Sequence, residues 1–335
     1  MKKDSIFTKM KNSKLLQNIA RFFLLFAIII CTIIFYSIQP RFLSSFNVLE
    51  MLRTSSVIGI LALGGLIIWS TGDADFAIGS RCSLGAAVFG CFLAAFNPNL
   101  IPLAMALSVI VGMFGGWLTS LLVIDLGIPA FIATLGISEV INGIVKLMTN
   151  DTTLFSANWT EGFIVLGQGF VFNLIPIPIV VFLCLAIIVH IFMEHTKLGH
   201  YIFAIGANKT ASLQVGVPVN RIKRIAYIIG GGLMSFAGVV LASEIKAVKL
   251  TMGTDLKMPA IATTILGAAF LKPGKYNVPG VVVSAVLMTM IQNGIITCGG
   301  SFYTKNVVHG VILLIALTFI ALVRPDGLPD VTFES

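Results

Sequence analysis

The sequence predicts an all-α, polytopic transmembrane helical bundle, and two observations lead to this prediction. Of its 335 residues, 57% are hydrophobic and only 11% are charged, whereas a soluble domain carries about 25% charged residues. Residues 82–124 contain no Asp, Glu, Lys, Arg or His. A run of that length suffices for two membrane crossings of roughly 20 residues each, with a break at Asn97-Pro98-Asn99.

Apolar runs bounded by charged residues, proline or asparagine predict about ten spans. The runs lie at 22–39, 54–71, 82–97, 99–124, 127–148, 173–193, 225–243, 258–271, 278–297 and 306–323. The eighth run has 14 residues, which is too short for an ordinary span of about 20 residues. We therefore expect either a half-helix that ends inside the protein or a span completed by flanking polar residues.

Lysine and arginine residues lie predominantly on one predicted side of the bundle. With the N-terminus in the cytoplasm, 15 of the 22 basic residues fall inside, Arg81 among them, and 7 fall outside, so the positive-inside rule places both termini in the cytoplasm. We predict a basic cytoplasmic N-terminal arm (1–21), a single transmembrane domain (22–323) with a cytoplasmic loop at 194–224, and a cytoplasmic tail (324–335). We expect no nucleic-acid partner, because no basic surface interleaved with aromatic residues accompanies the net charge of +8.

Motifs for enzymatic chemistry are missing from the sequence. It contains no GxxxxGK[ST] phosphate loop, no HExxH and no GxSxG, and its four histidines are scattered. An intramembrane enzyme would need clustered serine and histidine, or histidine and glutamate. The sequence therefore predicts no catalytic residue and no metal site, and ATP-driven transport would need an ATPase on another chain.

Polar residues on otherwise apolar helices are the candidates for a translocation path. Glu139 lies in the middle of FIATLGISEVINGIVKLM, and Asn142 and Lys146 follow at i+3 and i+7 on the same helix face. Hydrogen bonding between helices is the alternative role for each candidate, and an ion-coupled secondary transporter would need paired intramembrane acids. The path candidates are Glu139, Asn142, Thr263, Thr264, Ser284, Gln292 and Asn293.

Two aspartates follow the second apolar run, in the stretch STGDADFAIGS at 70–80. A metal site would need further carboxylates, and none lies nearby in the sequence. We interpret the stretch as a loop that begins the next helix. Asp75 would lie near the helix start, where its charge suits the helix dipole, and Ser80 would serve as a local cap.

Four stretches of the chain, in order, carry a family pattern. They are STGDADFAIGS (70–80), PAFIATLGISEVINGI (129–144), TKLGHYIFAIGANKTASLQVGVPVNRIK (196–223) and GTDLKMPAIATTILGAAFLKPGKYNVPG (253–280). Together they resemble the permease subunits of bacterial ABC importers for ribose and other simple sugars, in the family shared with branched-chain amino acid permeases. Asp75, Gly79 and Ser80 match the family element Ser-Gly-Ile-Asp-Leu-Ser-Val-Gly-Ser, whereas residues 256–262 depart from its Glu-Leu-Asp-Ala-Ile-Ala element.

The resemblance implies that 196–223 forms a cytoplasmic loop with a short coupling helix that docks into an ABC ATPase subunit. Residues 207–215 have a helix-compatible composition, and Gly206 and Gly216 would be the start and stop turns of that helix. ATP and Mg²⁺ would be used by the partner ATPase subunits, with no cofactor in this chain. The coupling residues are Gly199, Gly206, Ala207, Asn208, Ala211, Gly216 and Val217.

The resemblance also implies the remaining partners, the location and the substrate. In the bacterial cytoplasmic membrane, a second permease subunit of a homo- or heterodimer would form the path at the seam. An extracytoplasmic sugar-binding protein would meet the loop at 149–175. Alternating access would then move a small sugar across the lipid bilayer. A nucleoside, an amino acid or a signalling sugar is the alternative substrate.

Overall fold

Helices make up nearly all of the regular structure in the residues that this computed structural model describes, which are 14–97, 99–155, 161–268, 270–272, 274–301 and a few single positions from 304 to 318. The helices are α1 (Lys14–Ile38), α2 (Ser45–Trp69), α3 (Ile78–Ala95), α4 (Ile101–Ser120), α5 (Ala130–Met148), α6 (Glu161–Gln168), α7 (Ile177–His195), α8 (Lys197–Ala207), α9 (Lys209–Gln214), α10 (Val219–Ile245), α11 (Thr254–Gly267) and α12 (Val278–Thr297). An antiparallel hairpin of two short strands, β1 (Phe170–Val171) and β2 (Ile175–Pro176), precedes α7. The predicted all-α class is confirmed.

Seven helices of the described part are long and apolar enough to cross a membrane. They are α2, α3, α4 with the π-helical turn Leu121–Asp125 that continues it, α5, α7, α10 and α12. Each of the first nine predicted runs coincides with a helix, although α1 and α11 offer only shorter segments. The tenth run, the arm 1–21 and the tail 324–335 lie largely or wholly outside the described residues. The total of about ten spans and the side on which the termini lie therefore stay predictions.

Two helices begin well before the apolar runs that predicted them. α2 begins at Ser45 rather than at residue 54, and the side chain of Ser44 caps it by accepting a hydrogen bond from Asn47 N. α10 begins at Val219 rather than at residue 225. The first turns of both helices carry charged residues, which interrupt the hydropathy pattern without interrupting helical hydrogen bonding.

The central helix of the bundle is α10, which packs against α2, α3 and α4. Gly231 of α10 lies against Gly112 and Gly116 of α4, and small residues allow the close helix approach that stabilises bundles in lipid. Most of α2, α3 and α10 is buried, whereas α4, α5 and α7 are largely exposed and present apolar side chains such as Ile187 and Ile188. Among the membrane-spanning helices, α2, α3 and α10 are therefore the most buried, and α4, α5 and α7 contribute an apolar perimeter suited to lipid.

Two helices begin inside the bundle, each after a non-helical segment. Residues 70–77 separate α2 from α3, residues 246–253 separate α10 from α11, and the two helix starts touch at Gly79 and Gly253. Gly253 N donates a hydrogen bond to Ser83 Oγ (3.1 Å). With 14 residues, α11 is about 21 Å long and shorter than the hydrocarbon core of roughly 30 Å. Of the two predicted alternatives, the structure favours the half-helix.

The two ends of the bundle differ in structure and are called the α9 end and the hairpin end. The α9 end contains α8, α9 and residues 70–72, which pack together at Gly206 and Ser70. The hairpin end contains β1, β2 and residues 246–250, where Leu154 and Val248 form an isolated β-bridge. In the predicted topology, the α9 end faces the cytoplasm.

Candidate functional site

The predicted coupling segment folds as two short helices joined at Asn208. At the start of α8, Thr196 Oγ1 accepts a hydrogen bond from Gly199 N (3.1 Å). At the start of α9, Asn208 Oδ1 accepts one from Ala211 N (2.8 Å). Asn208 is therefore the N-cap of α9, a position that asparagine favours. The six residues of α9 lie within the predicted stretch 207–215.

The two glycines of this segment have different roles. Gly216 follows α9 with a φ of +81°, so it ends that helix as predicted, in a conformation that glycine adopts readily. The start-turn role of Gly206 was wrong, because Asn208 begins α9 and Gly206 lies in the last turn of α8. A Cβ at Gly206 would overlap the Ser70 carbonyl oxygen. Gly206 therefore permits α8 to pack on the residues that follow α2.

The predicted coupling residues divide into packed and accessible positions. Gly199 and Val217 are buried against neighbouring elements. The exposed members are Ala207, Asn208, Ala211 and Gly216. On the same surface, Leu213 is 53% exposed and Val215 is 79% exposed. Leu213 of α9 and Val215, which directly follows it, thus present apolar side chains at this end of the bundle.

Ion pairs join the first turns of α10 to the segment 70–77 and to the π-helical turn that continues α4. Lys223 Nζ lies 2.7 Å from Asp73 Oδ1, and Tyr227 donates a hydrogen bond from its hydroxyl to Asp73 Oδ2 (3.2 Å). Arg224 donates to both carboxylate oxygens of Asp125 at 2.7 Å. Since α10 follows the coupling segment directly, the Lys223 and Tyr227 contacts connect α9 with the non-helical segment 70–77. The Arg224 pair connects it with the π-helical turn that continues α4.

Asp75 forms a fully buried ion pair with Arg81. Asp75 Oδ1 also accepts a hydrogen bond from Ala77 N (2.8 Å), and Arg81 donates to Thr119 Oγ1 (2.8 Å). Asp75 lies just before α3, as predicted, but Arg81 is inside the bundle rather than in the cytoplasmic loop to which the orientation count assigned it. The missed signal was an acid and a base six positions apart in an apolar context, because a buried charge needs a partner.

The remaining family-motif residues, Gly79 and Ser80, lie in the first turn of α3. The expectation that Ser80 is a cap was wrong, because Ser80 Oγ donates to the Ala77 carbonyl (3.0 Å) and does not accept from a backbone N–H at the helix start. Gly79 contacts Gly253, and the absence of a side chain lets the starts of α3 and α11 meet. The motif therefore forms the interior junction between the two interrupted helices.

The polar face predicted on α5 is its accessible face. Glu139 and Lys146 are exposed, and Asn142 is half-buried. Asn142 Oδ1 is buried and has no hydrogen-bond partner among the described residues. A glutamate exposed to hydrocarbon is costly, so this face of α5 suits contact with water or another subunit better than contact with lipid.

The other path candidates lie in the interior formed by α2, α11 and α12. Thr264 Oγ1 donates to the Ala260 carbonyl (2.9 Å), and Asn293 exchanges two amide hydrogen bonds with Asn47 (2.8 and 2.9 Å). Thr263, Ser284 and Gln292 are also buried. Because α5 packs mainly on α3, a single chain does not bring the seven candidates into one site.

Comparisons with known proteins identify relatives along nearly the whole chain. Residues 47–317 match the family described as the branched-chain amino acid transport system / permease component. The ribose import permease protein RbsC of Bacillus subtilis (strain 168) is 29% identical over 321 residues, covering 95% of this chain and 98% of that protein. The autoinducer 2 import system permease protein LsrC of Enterobacter sp. (strain 638) is 31% identical over 283 residues, covering 83% and 80% respectively. No solved structure matches the chain significantly.

Proposed function

Because the chain belongs to the family of branched-chain amino acid transport system permease components, we propose that it is the membrane-spanning subunit of an ATP-driven importer for a small sugar. Its family consists of transport permeases rather than ATPases, and its apolar helices make it a multi-pass protein of the bacterial membrane. The ribose import relative supports a sugar substrate. The autoinducer 2 relative favours a signalling sugar as the second candidate, and a nucleoside or an amino acid is a further alternative.

The observation that carries this proposal is the attachment of α9 to the interior of the bundle. α8 packs on Ser70 at Gly206, and Lys223, in the second turn of the helix that follows α9, pairs with Asp73. An ATPase subunit docked on α9 can therefore displace the segment 70–77, which leads to the junction of α3 and α11. Interfaces with such discrete packed arrangements convert small shifts into larger rearrangements.

The translocation path would lie at the seam with a second permease subunit. The exposed polar face of α5, with Glu139, is the part of the described surface that suits a wet seam. The contact between the starts of α3 and α11 resembles the broken helices at which transporters place their substrate paths. Alternating access would then open the seam toward one side of the membrane at a time.

The remaining partners follow from the predicted topology of about ten spans with both termini in the cytoplasm. ABC ATPase subunits, which use ATP and Mg²⁺, would bind the α9 end, with Leu213 and Val215 as apolar anchors. An extracytoplasmic binding protein would deliver the sugar to the hairpin end. Specificity among sugars would then depend largely on that delivery.

The experiment that tests the coupling uses two exposed leucines at opposite ends. Leu213→Asp places a charge on α9, and the matched control Leu174→Asp places one at the hairpin end, where Leu174 is 74% exposed. Loss of a central apolar anchor weakens an interface by about 2 kcal/mol or more, so co-purification of the ATPase should fall at least about tenfold for Leu213→Asp alone. Equal recovery of ATPase with both variants would contradict docking on α9.

A further inference from the structure

A cavity of about 220 Å³ lies at the hairpin end, between α2, the end of α10 and the start of α11. Its lining includes the polar residues Thr54, Glu244, Lys249 and Asp255 and the apolar residues Val57 and Leu256. We infer that this cavity binds a neutral monosaccharide before the sugar enters the translocation path. The inference rests on the proposed function and adds a solute site within this chain.

The carboxylate of Glu244 is poorly satisfied by the protein itself. Its Oε1 receives only a long hydrogen bond from Thr54 Oγ1 (3.5 Å), and its Oε2 is buried without a hydrogen-bond partner in the part of the chain that the structure describes. Arg53, the nearest basic residue on α2, is engaged by Glu50 at 2.6 Å and by the Gln168 carbonyl at 3.2 Å. A buried acceptor without a donor is costly, and a ligand hydroxyl would supply that donor.

The combination of lining groups matches the chemistry of a sugar. Two carboxylates, Glu244 and Asp255, accept hydrogen bonds from hydroxyl groups, and the Lys249 ammonium donates to hydroxyl or ring oxygens. Val57 and Leu256 offer apolar contact to the C–H face of a sugar ring. A metal cation is disfavoured because the positively charged Lys249 lines the same space. The lining thus combines hydrogen-bond acceptors, a donor and apolar side chains, which together suit an uncharged molecule with many hydroxyl groups.

The size of the cavity limits the ligand to a single ring. A cavity of about 150 Å³ holds benzene, so one of about 220 Å³ accommodates a somewhat larger molecule such as a pentose or a hexose. Lys249 and Met252 of the lining belong to the non-helical segment 246–253, and Asp255 and Leu256 belong to the first turn of the half-helix α11. The ligand would therefore sit where the backbone is interrupted, which is where transporters bind their solutes.

The position of the cavity also connects it with the α9 end. Glu244 lies in the last turn of α10, and Lys223, which pairs with Asp73, lies in its first two turns. The 27 residues of α10 form one continuous helix of about 40 Å. A sugar bound at the hairpin end thus touches the same helix whose other end pairs with the segment 70–77, which a docked ATPase would displace.

The test is protection of an engineered cysteine in the complete transporter, in a background whose native cysteines are replaced by alanine. Ile245→Cys places a thiol in the cavity lining without removing a proposed hydrogen-bonding group. Its modification by a maleimide is timed with and without D-ribose, D-xylose, D-glucose or D-galactose. At about ten times its Kd, a sugar that binds should slow the modification about tenfold. Leu147→Cys, exposed on α5, is the control and should react at an unchanged rate.

Two substitutions test the role of the carboxylate. Glu244→Gln should raise the sugar concentration for half-protection by about tenfold or more, because it removes hydrogen bonds to a charged acceptor. Asp151→Asn is the matched control, since Asp151 is an exposed acid near the same end of the bundle that does not line the cavity, and it should leave that concentration unchanged. An equal effect of both substitutions would overturn the assignment to Glu244.

Import of the same four sugars into proteoliposomes is measured separately. Absence of import for all of them would contradict the proposed function. A sugar that is imported but leaves Ile245→Cys unprotected would overturn only the inference about the cavity. Protection by L-leucine without protection by any sugar would overturn it as well, because the ligand would then be a zwitterion.

Discussion

The α9 end and the hairpin end of the bundle differ in how their acidic residues are paired. Toward the α9 end, Asp73, Asp75 and Asp125 each have a basic partner. At the hairpin end, Glu50 pairs with Arg53, but Glu244 keeps a carboxylate oxygen without a partner beside a cavity. Paired charges hold elements in one arrangement, whereas an unpaired acceptor is available to a ligand. This difference is consistent with transmission of ATPase movements at the α9 end and with solute binding at the hairpin end.

The largest expected effect that tests this comparison comes from Arg81→Ala. This change leaves Asp75 fully buried without its partner, and removal of one member of a buried ion pair costs about 3–5 kcal/mol of folding free energy. We expect a large fall in the thermal unfolding midpoint in detergent. The double replacement Asp75→Leu with Arg81→Met removes both charges and should recover most of the loss. An Arg81→Ala protein as stable as the parent would show that the pair does not hold the α3 start.

A smaller effect is expected from Gly206→Ala at the α9 end. The new Cβ would overlap the Ser70 carbonyl oxygen, and overpacking costs about 1–3 kcal/mol. The matched control is Gly143→Ala, at a helical glycine with open space around it, where alanine should gain up to about 1 kcal/mol in helix propensity. Limited proteolysis within α8 and α9 measures the difference. Equal cleavage rates for the two variants would count against packing of α8 on Ser70.

Lys223→Ala tests whether the paired charges of the α9 end transmit movement, because it removes the partner of Asp73. The side chains of Lys223 and Asp73 are only 11% and 12% exposed, respectively. Loss of a hydrogen bond to a charged group costs about 1.5–3 kcal/mol. We expect the ATPase to co-purify normally while stimulation of its ATP hydrolysis by the loaded binding protein is lost. Lys223→Arg keeps the positive charge and should retain stimulation. Full stimulation in Lys223→Ala would remove this ion pair from the route between the two ends.

The smallest effect is expected from Arg224→Ala. Its pair with Asp125 is 34% and 45% exposed, and exposed pairs contribute about 0–1 kcal/mol. We expect a shift of the unfolding midpoint that is within that range and that shrinks further at high salt. A loss of stability as large as that caused by Lys223→Ala would mean that solvent exposure does not determine how much each of the two ion pairs contributes.

The sequence predicted the helices well, because each described span is an apolar run long enough to be recognised alone. The pairing of Asp75 with Arg81 was within reach, since the two residues are six positions apart between apolar runs. The cavity at the hairpin end could not be predicted from the sequence, because Thr54 and Glu244 are 190 positions apart and only tertiary packing brings them together. The candidates Thr263, Ser284 and Gln292 show the same limit, since their polarity is visible in sequence but their burial is not.

The short length of the half-helix α11 also affects how the chain is inserted into the membrane during synthesis. Its 14 residues include Asp255, Lys257 and Pro259. The free energy of transferring this segment from the translocon into the hydrocarbon is therefore too unfavourable for it to insert on its own. It packs against α2, α3 and α12, and α12 is made after it. Biogenesis of this region is therefore completed only when the ribosome has delivered the following helix, which holds the half-helix in place within the bilayer.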